Sequence, residues 1–460
     1  MNKQSFKPEK PIIEQFDAAI VIGLGVTGYS VVRYLVARGL EVIVVDSRDN
    51  PPLLDQLQTH YPQVKYKLGS LDHKDYQDIG LFVVSPGLSL KEPFIQTAKN
   101  AGVHVVGDIE LFIQENTKPL IAITGSNGKS TVTTLVGEMC KQGGFNAHVA
   151  GNIGLPALDV LTDHDDYDVA VLELSSFQLE TTSHIPADVS TILNISADHM
   201  DRYDSMGDYV LAKARIFRGA QQVVLPKHDE TLQQITNISN VLNFSMDEPA
   251  NDNDFGVKRE SNFRWLKKGE QRLIKLRDIP LTGLHNVQNV LAAFALVDFL
   301  EIPTPQKVDA VKGFTGLPHR MQTVLVTDDI TWVNDSKATN IGATSTALKN
   351  IENDVIWIAG GQGKGADFNQ LKSVISEKIQ LLILFGEDAD QIEAALDGML
   401  EIVRVKTMQQ AVNTAGERAD GTSIVLFSPA CASFDMYASF EQRGDDFAAQ
   451  VNQWAKRGAA

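Results

Sequence analysis

Cysteine is nearly missing from this sequence. Two residues, Cys140 and Cys431, stand far apart in a chain of 460, without metal-ligand spacing. That excludes a disulfide framework and fits a reducing compartment. Long apolar runs are missing too. None approaches the length of a membrane span, and Met1–Gln15 is polar, with two prolines and no apolar core of signal-peptide length. A cytoplasmic chain is expected. Positive charge is in short supply, since 41 Lys and Arg against 58 Asp and Glu leave a net charge of −17. A nucleic-acid partner would demand broad basic surface and is excluded on that ground. Small anionic ligands, which need only a few local cations, remain open. No fixed-period repeat or low-complexity tract occurs. The 43% hydrophobic and 22% charged residues are ordinary for a globular protein, and the length exceeds one core, so two to four domains are expected.

What is present begins with Ile121-Ala122-Ile123-Thr124-Gly125-Ser126-Asn127-Gly128-Lys129-Ser130-Thr131. An apolar run suited to a buried strand ends in a Gly-containing turn, and a helical stretch over 131–141 follows. That order gathers backbone N–H groups and a helix N-terminus around one spot, which suits a polyphosphate such as that of ATP. Lys129 can reach the outer phosphates, and the Ser130 hydroxyl can reach a Mg²⁺ ion. The general phosphate-loop pattern would place a glycine where Ile123 stands. A plain tight turn before a helix is the alternative.

Three alternating blocks are read along the chain, 1–107, 108–316 and 317–460, and they predict an α/β fold with mostly parallel sheets. In the first block a strand at 18–22 runs into Gly23-Leu24-Gly25-Val26-Thr27-Gly28, a helix and a second strand ending at Asp46. This is a dinucleotide-type fingerprint, Rossmann-like, with an acid placed for a ribose. Ser85-Pro86-Gly87 closes a further strand. The middle block adds strands ending at Glu173 and leading into 194–202. Residues 221–280, rich in turn formers such as Asn251-Asp252-Asn253-Asp254, read as a peripheral β extension, before a helix over 287–299. The third block alternates strands at 354–359, 380–385 and 423–427 with helices near 343–351 and 390–400, and carries Gly360-Gly361-Gln362-Gly363-Lys364-Gly365. Residues 107–118 and 314–320 read as connectors.

With these segments placed, the chain resembles the Mur ligase family along nearly its full length. The resemblance rests on the Thr124–Ser130 loop, on Glu173 with Ser175-Ser176-Phe177-Gln178, on 194–202, on His285-Asn286 with Asn289, and on Gly316-Leu317-Pro318-His319-Arg320. The family's loop also lacks the early glycine. Asn334–Asn340, Ser428–Asp435 and Phe440-Glu441-Gln442-Arg443-Gly444 resemble the branch that adds D-glutamate, and the third block shows no Asp-Asn-Pro-Arg motif of the diaminopimelate-adding branch. The resemblance implies three domains: a Rossmann-like UDP-binding domain, a central phosphate-loop ATPase domain and a Rossmann-like C-terminal domain. It also implies a monomeric, ATP-dependent ligase that joins D-glutamate to UDP-N-acetylmuramoyl-L-alanine through an acyl phosphate, in peptidoglycan synthesis. Two alternatives stay open, a folylpolyglutamate-synthase-like ligase and an NAD-dependent oxidoreductase.

The residue roles that follow are implied by the resemblance. Gly125, Ser126, Asn127, Gly128, Lys129, Ser130 and Thr131 would hold the ATP phosphates. Asn286 and Asn289, three apart on one helix face, would meet the adenine, while Arg320, Asp335 and Lys337 would approach the nucleotide from the third block. Ser130, Glu173, His199 and Lys213 would hold Mg²⁺, expected as two ions. Lys213 would do so as a CO₂-derived carbamate, which requires burial, because only a neutral amine reacts. By residue type alone Lys213 reads as an exposed helix lysine, and His199 as a structural histidine. Lys129, Glu173, His199, Lys213 and Arg320 form the expected catalytic set. Leu24, Thr27, Asp46, Ser47, Arg48, Gly87, Asn152 and His199 would bind the UDP substrate. Thr339, Lys364, Ser433, Phe434 and Phe440 would bind D-glutamate.

Overall fold

The computed structural model describes residues 10–70, 76, 78–200, 202–281, 283–327, 330–349, 351, 353–421 and 423–458. Part of the Met1–Gln15 stretch, Asp201 and Thr282 therefore lie outside the described residues. The fold is α/β, built on three sheets. The first sheet holds β1 (Ala18–Ile22), β2 (Glu41–Asp46), β3 (Lys65–Leu68), β4 (Leu81–Val84) and β5 (His104–Val106) in the order β3-β2-β1-β4-β5. All its pairings are parallel. The apolar runs of β1 and β4 are buried on both faces, as a covered parallel sheet requires.

The second sheet comprises β6 (Leu120–Thr124), β7 (Ala147–Gly151), β8 (Val169–Glu173), β9 (Val189–Ile192), β10 (Gln222–Pro226), β11 (Val241–Phe244), β12 (Asp254–Glu260), β13 (Phe263–Lys268) and β14 (Gln271–Lys275). Its order is β14-β13-β12-β11-β10-β9-β6-β8-β7. Residues 221–280, read above as a peripheral extension, continue this sheet. β10, β11 and β12 add in parallel, and only β13 and β14 form an antiparallel edge. The third sheet, of β15 (Gln322–Val326), β16 (Ile330–Asn334), β17 (Val355–Ala359), β18 (Ile379–Leu384), β19 (Ile402–Arg404) and β20 (Ser423–Phe427), runs β15-β16-β20-β17-β18-β19 with β15 antiparallel. Two apolar clusters, around Trp357 and around Trp332, contribute to its core.

The chain divides into two compact units. One comprises Met1–Ile195, Gly207–Pro280 and Asn286–Phe314; the other comprises Ser196–Met206, Leu281–His285 and Thr315–Ala460. The first two sheets thus share a unit. The stretch 107–118, read as a connector, is largely a helix, Asp108–Glu115, with Ile109, Leu111 and Phe112 buried in a core common to both sheets. Arg38 and Tyr34 of the first block bond to Glu115, and Ser30 Oγ donates to Asp159 at 2.6 Å. Ser196–Met206 groups with the third sheet because Asn340 Nδ2 donates to Asp198 Oδ2 at 3.1 Å and Gly342 packs on Ser196.

The glycine fingerprint has a steric cause. A Cβ on Gly28 would sit 1.8 Å from the Gly23 carbonyl oxygen, whereas one on Gly25 would meet nothing within 4 Å. Gly28→Ala is therefore expected to cost on the order of 1–3 kcal/mol or more, the range of overpacked sites, and Gly25→Ala far less. Urea denaturation of the two variants side by side checks this; equal midpoints would refute the steric account.

Candidate functional site

In parallel α/β sheets ligands gather beyond the carboxyl ends of the strands. β6 lies between β9 and β8, and the loop that follows it opens the helix Lys129–Gln142. Gly128 supplies the left-handed turn into that helix, with φ of 81°. A Cβ there would come within 2.6 Å of Asn289 Oδ1, so the loop and the helix Leu284–Leu296 meet at this glycine. Asn289 Nδ2 in turn donates to Asn286 Oδ1 at 3.1 Å, which joins the two asparagines into one amide pair. Residues outside the expected set also hold the loop. Ser126 N donates to Asn194 O at 3.0 Å, Asn127 N to Asn194 Oδ1 at 2.8 Å, and Ser126 Oγ lies 3.1 Å from the Tyr209 hydroxyl.

Two ammonium groups converge on this loop. Lys129 Nζ donates to Gly125 O at 2.7 Å and to Ser126 O at 3.0 Å. Lys213 Nζ donates to the same Gly125 O at 3.0 Å and contacts Thr124 Oγ1 at 3.4 Å. Lys213 is only 2% exposed. It rises from the helix Met206–Ala214 over the Tyr209 ring, 4.7 Å from its centre. The exposed-lysine reading of the residue type is thereby corrected: the face that carries Tyr209, Ala212 and Lys213 is the buried one, and Leu211 is exposed.

Ser130 and Thr131 are buried at the start of the same helix. Glu173 ends β8 in register with Ile123 of β6 and is 1% exposed. Its Oε1 accepts from Asn152 Nδ2 at 2.7 Å, while the buried Oε2 has no hydrogen-bond partner among the described residues. An unpartnered buried carboxylate oxygen is costly unless a donor or cation meets it. This is what a hard divalent cation would use. Asn152 also faces the other way. It lines a cleft of about 440 Å³ with Thr27, Asp46, Ser47, Arg48 and Gly87. Ser85, of the loop read at the end of β4, lines it as well, as do Val26, Leu88 and Gln178, which were outside the expected set. Leu24 sits differently from the other expected residues, because its side chain is fully buried in the core and only its backbone turns toward Asp46.

Asp46 does not offer a free carboxylate to a ribose. It accepts from Leu24 N at 2.7 Å, Arg48 N at 2.9 Å, Arg48 Nε at 2.8 Å and Arg48 Nη2 at 2.6 Å. Four donors occupy the accepting capacity of one carboxylate. Burial pushes its pKa up, but the Arg48 and backbone hydrogen bonds outweigh burial and hold it below the usual range. The acid is tied to Arg48, itself a lining residue of the cleft, which removes the main support for a dinucleotide reading.

The second unit carries His199, Arg320, Asp335, Lys337, Thr339, Lys364, Ser433, Phe434 and Phe440. His199 adopts φ of 57°, and its N–H donates to Asp198 Oδ1 at 2.9 Å. Lys337 Nζ lies 3.6 Å from the centre of the Phe440 ring, and Lys364 Nζ 5.8 Å from that of Phe434. Lys364 takes a left-handed backbone (φ of 53°), and the Phe434 ring is 64% exposed. Ser433 is buried, and Thr339 follows Lys337 in a tight turn in which Thr339 N bonds Lys337 O at 2.7 Å. Asp335 is buried and accepts from Ser428 Oγ at 2.9 Å and Met321 N at 3.2 Å. Burial raises its pKa to about 7, against the opposing pull of those hydrogen bonds and the charge of Arg320.

A loop with two convergent lysines at the end of a parallel strand, the Glu173 carboxylate beside it and a polar cleft joined to that carboxylate by Asn152 make up the candidate site. The chain belongs to the Mur ligase family. Residues 17–107 match the Mur ligase MurD-like N-terminal domain, 123–297 the Mur ligase middle domain, and 319–431 the Mur ligase glutamate ligase domain. It is 45% identical to the UDP-N-acetylmuramoylalanine–D-glutamate ligase of Pseudomonas aeruginosa, over 95% of this chain and 98% of that one. It is 43% identical to the same-named enzyme of Legionella pneumophila strain Paris, over 94% and 98%. In fold it matches a pseudomurein peptide ligase type C from Methanothermus fervidus with a TM-score of 0.61, at 19% identity, over 95% of this chain and all of the other.

The raised pKa of Asp335 carries a pH dependence. Between its ordinary value of 3.8 and about 7 the folded chain holds a proton that the unfolded chain releases, so stability falls as pH rises through that window. Asp335→Asn should flatten this slope in melting curves of the second unit. Asp108, which burial pushes up to about 6, gives the first unit a similar slope that this substitution leaves unchanged. An unaltered slope in Asp335→Asn would refute the assignment.

Proposed function

We propose that this chain joins D-glutamate to the L-alanine carboxylate of UDP-N-acetylmuramoyl-L-alanine while cleaving ATP to ADP and phosphate, a cytoplasmic step of peptidoglycan synthesis. The observation that carries the proposal is the link that Asn152 makes between the cleft around Arg48 and Glu173, which ends the strand beside the one that runs into the Gly125–Ser130 loop. In this reading 1–107 is a Rossmann-like domain for the UDP substrate, 108–316 a phosphate-loop ATPase domain, and 317–460 a Rossmann-like domain for the amino acid. The full-length similarity to the D-glutamate ligases favours this over a folylpolyglutamate-synthase-like activity. The occupied carboxylate of Asp46 disfavours NAD.

A carboxylate resists attack by an amine because its oxygen leaves poorly. Transfer of the γ-phosphoryl group to it gives an acyl phosphate. The amine of D-glutamate then adds to the carbonyl carbon, and the tetrahedral intermediate collapses with loss of phosphate. Positioning and charge stabilisation carry most of the rate in such transfers. Lys129 and the loop N–H groups would hold the β- and γ-phosphates, with Asn286 and Asn289 at the adenine. In the second unit, Arg320, Asp335 and Lys337 would take part at the nucleotide. Thr339, Lys364, Ser433, Phe434 and Phe440 would hold D-glutamate. Glu173, with its orphaned Oε2, and Ser130 fit Mg²⁺, which neutralises phosphate charge when bound; a carbamate on Lys213 would add an anionic oxygen. His199 joins this set on the family resemblance alone.

Phosphate release in the presence of ATP and UDP-N-acetylmuramoyl-L-alanine should depend on D-glutamate and not on L-glutamate or other amino acids. Release that ignores the amino acid would overturn the proposal. Lys129→Ala should lower kcat at least ~100-fold, the equivalent of one or two charge-assisted bonds lost.

Lys213→Ala should be as slow, with partial recovery in a short carboxylic acid that replaces the carbamate oxygens. A ¹³C resonance from labelled CO₂ on the intact chain, absent in Lys213→Ala, would report the adduct directly. Its absence from active enzyme would rule the carbamate out.

A further inference from the structure

Arg443 lies in the first turn of the helix Phe440–Gly458 and is 1% exposed. Among the described residues its guanidinium has no carboxylate acceptor. Nε donates to Ser336 Oγ at 3.1 Å, Nη2 to Ser336 O at 2.9 Å and to Cys431 O at 3.0 Å, and Nη1 to Ala432 O at 3.0 Å. Burying a cation against neutral acceptors is expensive, and an apolar side chain of similar volume would fill the same space at lower cost. The planar fork offers what an apolar residue cannot, several donors at fixed angles that reach two backbone segments at once.

Those segments carry residues of the proposed amino-acid site. Ser336 opens the turn that leads to Thr339, in which Thr339 N bonds Lys337 O at 2.7 Å, and Ser336 Oγ donates to Phe440 O at 2.8 Å. Ala432 immediately precedes Ser433 and exchanges two backbone hydrogen bonds, 2.9 and 2.8 Å, with Gln362 of the Lys364 loop. Ala430 and Lys364 both hold left-handed backbones, with φ of 59° and 53°. Such conformations are costly for residues with a Cβ and persist where the surroundings enforce them. Three segments thus meet around one guanidinium.

We infer that Arg443 is a positioning residue for the amino-acid substrate, setting the spacing between the Thr339 turn, the Ser433 loop and the Lys364 loop without itself touching the substrate. The inference rests on the function proposed above. Arg443→Lys keeps the charge and loses the fork. It should raise the KM for D-glutamate ~10-fold, the effect of about one charge-assisted hydrogen bond, while the KM for the UDP substrate, whose cleft lies in the first unit, stays near that of the unaltered enzyme. In Arg443→Ala, millimolar guanidinium should restore the D-glutamate KM where sodium chloride of equal ionic strength and urea do not. Where that variant fails to fold, Ser336→Ala, which removes one acceptor, should reproduce the selective KM change in milder form. An unchanged D-glutamate KM in Arg443→Lys, a parallel rise for the UDP substrate, or failure of guanidinium to restore a folded Arg443→Ala would overturn the inference. Failure of the unaltered chain to use D-glutamate would instead refute the substrate assignment. The amino acid that does support release would then enter the same comparison, and the inference falls if none does.

Discussion

Lys129 and Lys213 donate to one carbonyl oxygen, that of Gly125, and two ammonium groups held so close repel each other unless an anion or a change of charge intervenes. Much of the first unit's architecture serves to impose that arrangement. β6 must be internal to its sheet so that its end is fixed on both sides, by β9 and β8. The helix Met206–Ala214 must present a lysine inward and a leucine outward, the reverse of its composition's preference. Asn194 and Tyr209 must brace the loop against its own strain. A bound anion would relieve the repulsion from one side, and a carbamate on Lys213 would relieve it from within by turning one cation into an anion.

The long apolar strands and the glycine turns were legible because their signals are local: β1 and β4 begin and end where their apolar runs do, and β2 and β20 within one residue of theirs. The short strand Lys65–Leu68 was not, since alternate lysines on a half-exposed edge hide its pattern. Residues 221–280 looked peripheral because turn formers separate the strands, and turn residues say nothing about which sheet the next strand joins. The helix Asp108–Glu115 did show apolar residues on one face, yet its shortness made it read as a connector.

Within the site, the Gly-Lys-Ser loop and Glu173 were readable from motif and strand position. The burial of Lys213 was not, because it depends on which face of its helix meets the sheet. The spacing of Tyr209, Ala212 and Lys213, three and four apart, was the available sign. Val26 and Gln178 were missed for a related reason. Cleft lining is set by how two sheets pack, and Gln178 otherwise reads as the N3 partner of Ser175 in a capping box. Leu24 and Val26 differ only in which way the turn aims them, a choice fixed by the bond from Leu24 N to Asp46. Arg443 presents the same lesson in the second unit, where a polar residue in a helical pattern is read as surface until its acceptors are seen.

Asn152 has one side-chain amide and two neighbours to serve, the cleft on one side and Glu173 on the other. An amide tied to Glu173 through its nitrogen keeps its oxygen fixed as well, so a ligand in the cleft meets a dipole already oriented by the carboxylate. Linkage of this kind is reciprocal. Any free energy that occupancy of the cleft lends to the arrangement at Glu173 is returned, in equal amount, to the affinity of the cleft. The two halves of the first unit cannot then be tuned independently.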